Sequence, residues 1–173
     1  MDKRLELLHR RRSVRAYTPA PVAAADREAI LAAGMAAPSA VNKRAYQVIV
    51  LDDPKVLAAV AAVLPNGPFL AKAPLGLLVC GDLAAAHGNE LSYMLQDCSA
   101  FIENVLLAVS ALGLGACWLG VHPRMERVDA LRARFKLPEH IVPVAAIAIG
   151  HPDGPVPPPR DAADPSKLHL NAW

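Results

Sequence analysis

The residues best equipped for chemistry lie in one short run near the N-terminus, Arg11-Arg12-Ser13-Val14-Arg15. In an extended segment Arg11, Ser13 and Arg15 project to one side. Two guanidiniums and a hydroxyl on one side suit a phosphate, because arginine offers planar, charge-assisted, bidentate donors. Taken alone, the run reads more simply as a solvated basic turn. A second stretch, Pro38-Ser39-Ala40-Val41-Asn42, combines a tight loop with an amide that can both donate and accept. By itself it is an ordinary helix-to-strand connection. A third, Gly115-Ala116-Cys117-Trp118-Leu119-Gly120, offers backbone that a planar ligand can approach closely, and also reads as a buried strand.

Several other chemistries are excluded by what is missing. The chain has no GxxxxGK[ST] phosphate loop, no GxSxG elbow and no HExxH. Gly113-x-Gly115 is not a dinucleotide fingerprint, since a helix precedes the glycines and a strand follows, the reverse of the required order. His9, His87, His122, His140, His151 and His169 show no metal-ligand spacing. Cys80, Cys98 and Cys117 are far apart in apolar surroundings, so they read as small buried hydrophobes and not as a disulfide framework.

The elements that must position these residues follow from pattern and punctuation. A short helix is predicted over 2–10, then an extended segment from Arg11 to Tyr17, which Pro19 and Pro21 keep from continuing as helix. Helices are predicted at 23–36, 54–63, 91–112 and 124–135. Strands are predicted at 46–51, 75–80, 116–121 and 142–150. In the longest helix Leu95, Cys98, Ile102, Val105, Leu106 and Val109 recur at helical spacing. Alternation of strands and helices by itself suggests a layered α/β domain. From residue 152 the composition turns to proline, so 152–173 reads as an extended arm with a stiff start, attached to one domain spanning 1–173.

Bulk properties narrow the function classes. The chain has 173 residues, 54% of them hydrophobic, enough to close a core. Its net charge of +2 gives no case for a nucleic-acid partner, and the crowding of basic residues in the first fifteen positions points to a local anion site. Val105 to Val121 is uncharged but glycine-broken and shorter than the ~20 apolar residues of a membrane span. The N-terminus lacks the apolar stretch of a signal peptide, so a cytoplasmic location is expected.

Together and in this order, the three motifs resemble the short members of the nitroreductase family of FMN enzymes. The resemblance runs over nearly the whole chain and includes the helix Ile102-Glu103-Asn104-Val105-Leu106-Leu107 and a proline-rich arm ending at Trp173. It implies an α+β fold, a central sheet flanked by helices, and a homodimer with FMN at the subunit interface. Arg11, Arg12, Ser13 and Arg15 would hold the phosphate, ribityl chain and pyrimidine edge of FMN, with Arg160 completing the phosphate clamp. Pro38, Ser39, Ala40 and Asn42 would reach the flavin from the partner subunit. The backbone of Cys117, Trp118, Leu119 and Gly120 would line the isoalloxazine, with an amide near Leu119–Gly120 directed at N5.

The implied activity passes reducing equivalents from NADH or NADPH through the flavin to a small acceptor such as a nitroaromatic or quinone. No catalytic side chain is required, since the flavin carries the chemistry. Flavin fragmentation or dehalogenation on the same fold, and non-catalytic flavin binding or redox sensing, are the alternatives. One departure stands out. Many members continue after the loop asparagine with a neutral glutamine and Pro-Trp, whereas here Lys43-Arg44-Ala45-Tyr46 follow.

Overall fold

In the computed structural model, which describes residues 2–159 and 164–173, the chain opens with a 3-10 turn, Lys3–Leu5, capped by the Asp2 side chain. It continues through α1 (Glu6–Arg10) and α2 (Ala24–Met35). Then come β1 (Tyr46–Leu51), α3 (Pro54–Val63), β2 (Leu75–Asp82), α4 (Leu91–Ala111), β3 (Gly115–Gly120), α5 (Met125–Phe135) and β4 (Ile141–Gly150). Apart from the first helix, predicted from residue 2 but α-helical only from Glu6 after the 3-10 turn, these bounds lie within a residue or two of the predicted ones because the local signals are strong. Asp53 accepts from the Lys55 amide at 2.7 Å and Pro54 opens α3. Past α4, Gly113 takes a φ of +74° that a side chain would resist.

The sheet runs β1-β2-β4-β3 and every neighbouring pair is antiparallel. This corrects the layered α/β class that strand–helix alternation suggests, and agrees with the α+β class implied by the motifs. The connections explain it. After α3 the 3-10 turn Pro68–Lys72 packs back against that helix, returning the chain to the end of the sheet it left. β2 and β4 are central and buried along almost their whole length, which is why both read as continuous apolar runs. Pro143, an unusual residue for a central strand, sits opposite Cys80 where the β2–β4 register shifts between Val79 and Cys80.

Helix α4 covers the sheet with a stripe that begins one residue earlier than predicted. Met94, Asp97, Cys98, Phe101, Ile102, Val105, Leu106 and Val109 are buried, and Leu95 is only partly so. All three cysteines are free and buried, and burial pushes the Cys80 and Cys98 thiols up to about 12. Where α2 crosses α4, a Cβ on Gly34 would lie 2.6 Å from Phe101 Cε2 and 2.8 Å from Val105 Cγ2. Gly34→Ala thus opposes two effects. Helix propensity favours alanine by about 1 kcal/mol, while overpacking a filled core costs about 1–3 kcal/mol. The clash is with a fully buried ring, so the variant is expected to lose stability. A urea midpoint at or above wild type would show that the crossing relaxes.

Candidate functional site

The basic run is fixed by pairing to the edge of the sheet. Ser13 bridges Ala116 in parallel, and the Val14 amide donates to the Ala116 carbonyl at 2.9 Å. Val14 turns inward onto Gly115, where a Cβ would meet Val14 Cβ at 2.7 Å. Tyr17 anchors the far end of the run: its buried ring donates a hydroxyl to Val14 O and Ala148 O. Burial moves that phenol well above its usual range, so it stays a neutral donor. Ser13 and Arg15 are left on the outside.

Two of the clefts lined by this segment open on its exposed side chains. One, about 490 Å³, is lined by Arg11, Arg12, Ser13, Arg15 and Pro157 to Pro159. The other, about 290 Å³, is lined by Arg15, Leu64, Asn66, Cys117, Trp118, Leu119, Gly120 and Arg127. Arg15 belongs to both, so the first and third motifs share one surface. Its guanidinium lies 6.0 Å from the centre of the Phe69 ring and beside Cys117. Burial raises the Cys117 pKa, and Arg15 partly opposes the shift.

Arg11, Ser13 and Arg15 do face one cleft, but Arg12 joins them, against strand parity. It does so because the arm returns over it: Arg12 Nε donates to Pro158 O at 2.7 Å and Nη1 to Arg11 O at 2.9 Å. Its Nη2 is buried with no hydrogen-bond partner among the described residues. A buried guanidinium nitrogen in that state fits an anionic oxygen. Arg11 is held by Glu103 of α4 at 3.3 Å. Glu103 and the proline-rich wall were not legible as site residues, since both depend on contacts distant in sequence.

The strand edge supplies the rest. β3 pairs with β4 on one side only, and the other side is covered by the basic run near Ala116. Backbone groups alternate sides along a strand. Because the Ala116 carbonyl points to the free edge, the amides of Trp118 and Gly120 do too, while those of Cys117 and Leu119 face β4. Arg127 Nη1 donates to Gly120 O at 2.9 Å, taking up the carbonyl and leaving the amide. A Cβ on Gly120 would meet nothing within 4 Å, so the space over this backbone is open. Trp118 is 38% exposed on the face opposite Cys117 and Leu119.

The arm begins fastened to its own subunit. Tyr17 bridges Pro152, Thr18 N donates to His151 O, and Asp153 N donates to Ala16 O. Residues 164–173 follow with Leu168, Leu170 and Trp173 exposed. Arg160, the expected end of the phosphate clamp, lies outside the described residues.

Pro38, Ser39, Ala40 and Asn42 line none of the clefts that the basic run lines. Their loop is nonetheless a built object. The Ala40 amide donates to Asp97 Oδ1 at 2.8 Å, Arg44 N to Ser39 Oγ at 2.9 Å, and Arg44 Nε to Asn42 Oδ1 at 3.1 Å. The Asn42 amide oxygen is therefore already engaged, and its NH₂ remains as donor. Val41, Asn42 and Arg44 all have positive φ, of 50°, 55° and 52°. Asp97 is 3% exposed and Oδ2 has no partner among the described residues. The sequence signal of this tether is a carboxylate, Asp97, within the apolar stripe of α4.

A family model described as Nitroreductase family matches residues 8–64 and 57–151. A protein of Methanothermobacter thermautotrophicus, provisionally named NADH dehydrogenase/NAD(P)H nitroreductase, is 38% identical over 98% of this chain and 87% of its own length. The oxygen-insensitive NADPH nitroreductase of Salmonella typhimurium is 29% identical over 95% of this chain and 72% of its own. Among solved structures, a Parabacteroides distasonis protein of the same provisional name superposes with a TM-score of 0.92 at 34% identity, covering both chains completely. An FMN-dependent nitroreductase of Clostridium difficile gives 0.89 at 28%, covering 96% of this chain and 98% of its own.

The Val14–Gly115 contact yields a direct test. Gly115→Ala forces Val14 outward at an overpacking cost of about 1–3 kcal/mol, enough to make local release of the basic run about five- to 150-fold more frequent. Trypsin should then cut at Arg11, Arg12 or Arg15 correspondingly faster while the global urea midpoint moves less. Equal cleavage rates would show that the run is held by other contacts.

Proposed function

The chain belongs to the nitroreductase family, and from that membership we propose that two copies of it complete each FMN site. It is an FMN-dependent oxidoreductase that takes reducing equivalents from NADH or NADPH. FMN, when bound, supplies the chemistry by accepting a hydride from the nicotinamide and delivering reducing equivalents to an acceptor. A small nitroaromatic or quinone is the acceptor class we assign, and the cytoplasm the location. Among the described residues no helix is long and apolar enough to cross a membrane.

We assign the roles of this chain's own residues from the shared clefts of the basic run and, for Arg160 and the 38–42 loop, from the family resemblance. Arg11, Arg12, Ser13 and Arg15 hold the phosphate and ribityl chain, with Arg160 added from the arm. The Trp118 and Gly120 amides and the open backbone over Gly120 receive the flavin ring. Pro38, Ser39, Ala40 and Asn42 come from the partner, which accounts for their lining none of the clefts of the basic run. The observation that carries this reading is Arg15, a wall of both clefts, which ties an anion site to a strand edge with free donors. No side chain is asked to act as a general acid, and the clefts are open enough for water to deliver protons.

Two outcomes are expected. Heat release should yield FMN and not FAD, because a cleft lined by Arg11, Arg12, Ser13 and Arg15 and walled by Pro157–Pro159 suits a terminal monophosphate. Arg15→Ala should weaken FMN binding about ten- to a hundred-fold, the value of a charge-assisted hydrogen bond of about 1.5–3 kcal/mol. Recovered FAD, or unchanged FMN affinity in the variant, overturns the site. For the assembly, exposed Leu168, Leu170 and Trp173 gain about 25 cal/mol per Å² on burial, and a partner surface can provide it. Truncation after Gly154 is expected to weaken the dimer and release FMN together, read by sedimentation and by flavin absorbance. A truncated protein that stays dimeric and flavinated would make the arm a dispensable tail.

A further inference from the structure

Four residues after Ala40, the chain places an arginine where it is oriented without being neutralised. Arg44 is exposed, and it forms no ion pair among the described residues. Its backbone is fixed at φ 52° by donation from Arg44 N to Ser39 Oγ at 2.9 Å. Its Nε is held at 3.1 Å by Asn42 Oδ1. These two bonds leave the Nη1–Nη2 edge of the guanidinium available. That edge is a planar fork matched to phosphate or carboxylate.

The surroundings show that this placement is enforced. Three residues without glycine's freedom, Val41, Asn42 and Arg44, all adopt left-handed backbone. Such strain persists only where the surrounding structure over-determines it, and it clusters at ligand sites. Here the restraint comes from below, where buried Asp97 holds the Ala40 amide at 2.8 Å. Val41 is a β-branched residue, 72% exposed and with φ of 50°, presenting an apolar surface in the same turn. An apolar contact beside a pre-oriented guanidinium suits a molecule with a flat ring and an anionic group. Pre-orientation also removes part of the ordering cost that a free surface arginine would meet on binding.

We propose that Arg44 is the specificity-determining residue of the site, receiving a phosphate or carboxylate carried by the substrate. The inference rests on the reading above that the 38–42 loop lies at the flavin of the partner subunit. It deepens that reading by naming the substrate class as anionic. The two sources of such a group are the extra phosphate of NADPH and an acidic substituent on the acceptor.

Calorimetric titration of the purified holoprotein separates them without relying on turnover. The probes are NADP+ against NAD+, and 4-nitrobenzoate against 4-nitrobenzyl alcohol, each with wild type, Arg44→Gln and Arg44→Lys. The anionic member of one pair is expected to bind wild type more tightly. Arg44→Gln should reduce that preference about tenfold or more, and Arg44→Lys, which keeps charge but loses the fork, should fall between. Movement in the first pair assigns the phosphate of the nucleotide, and in the second the acceptor. Wild type without a preference in either pair, or a preference that survives Arg44→Gln, overturns the proposal. The functional reading fails separately, by absence of FMN from the purified wild-type protein.

Discussion

A single backbone pairing, Val14 N to Ala116 O along the outer edge of β3, organises the site. It turns a basic tail segment into part of the sheet, so that Arg15 stands beside the strand whose free amides face the same cleft. The pairing is possible only because Gly115 lets Val14 approach, and it persists because Tyr17 is buried behind it. The same contact fixes parity: Ser13 and Arg15 face out while Val14 faces the core. Arginine identity supplies the charge, but the sheet edge supplies the direction.

Like charges packed this closely would repel if each lacked a partner. The structure spreads the problem. Arg11 is paired with Glu103, Arg12 is held by two carbonyls from its neighbour and the arm, and Arg15 stacks near Phe69. Carbonyls orient a guanidinium without cancelling its charge, so the cleft keeps a positive potential with side chains already placed. That arrangement is what a dianionic phosphate needs, because little reorganisation remains at binding. The arm matters here before any partner is considered, since Pro158 O belongs to it.

The asparagine loop answers to a different constraint. Its strained backbone is held from inside the core by a carboxylate on α4, and from its own surface by Arg44. A buried carboxylate among Met94, Cys98 and Phe101 costs stability unless it is hydrogen-bonded, and the Ala40 amide supplies that bond. The helix that covers the sheet therefore also fixes the loop, and it touches the basic run through Glu103. α4 is the common frame for both motifs.

The sequence by itself determined the elements and the chemistry of the motifs. Strand and helix bounds were legible because apolar spacing, Asp53-Pro54, Gly113 and the proline-rich tail are local signals that short-range physics obeys. The family was legible because three motifs of modest individual specificity occur in one order. Tertiary structure alone decided that the four strands β1–β4 pair antiparallel throughout, since pairing direction depends on where each connection returns, which alternation of elements does not encode. It also decided that Arg12 joins the cleft, that the Trp118 and Gly120 amides and not that of Leu119 face outward, and that Arg44 occupies the oxygen of Asn42. Each of these is set by a hydrogen bond or a strand pairing whose geometry residue spacing alone does not fix.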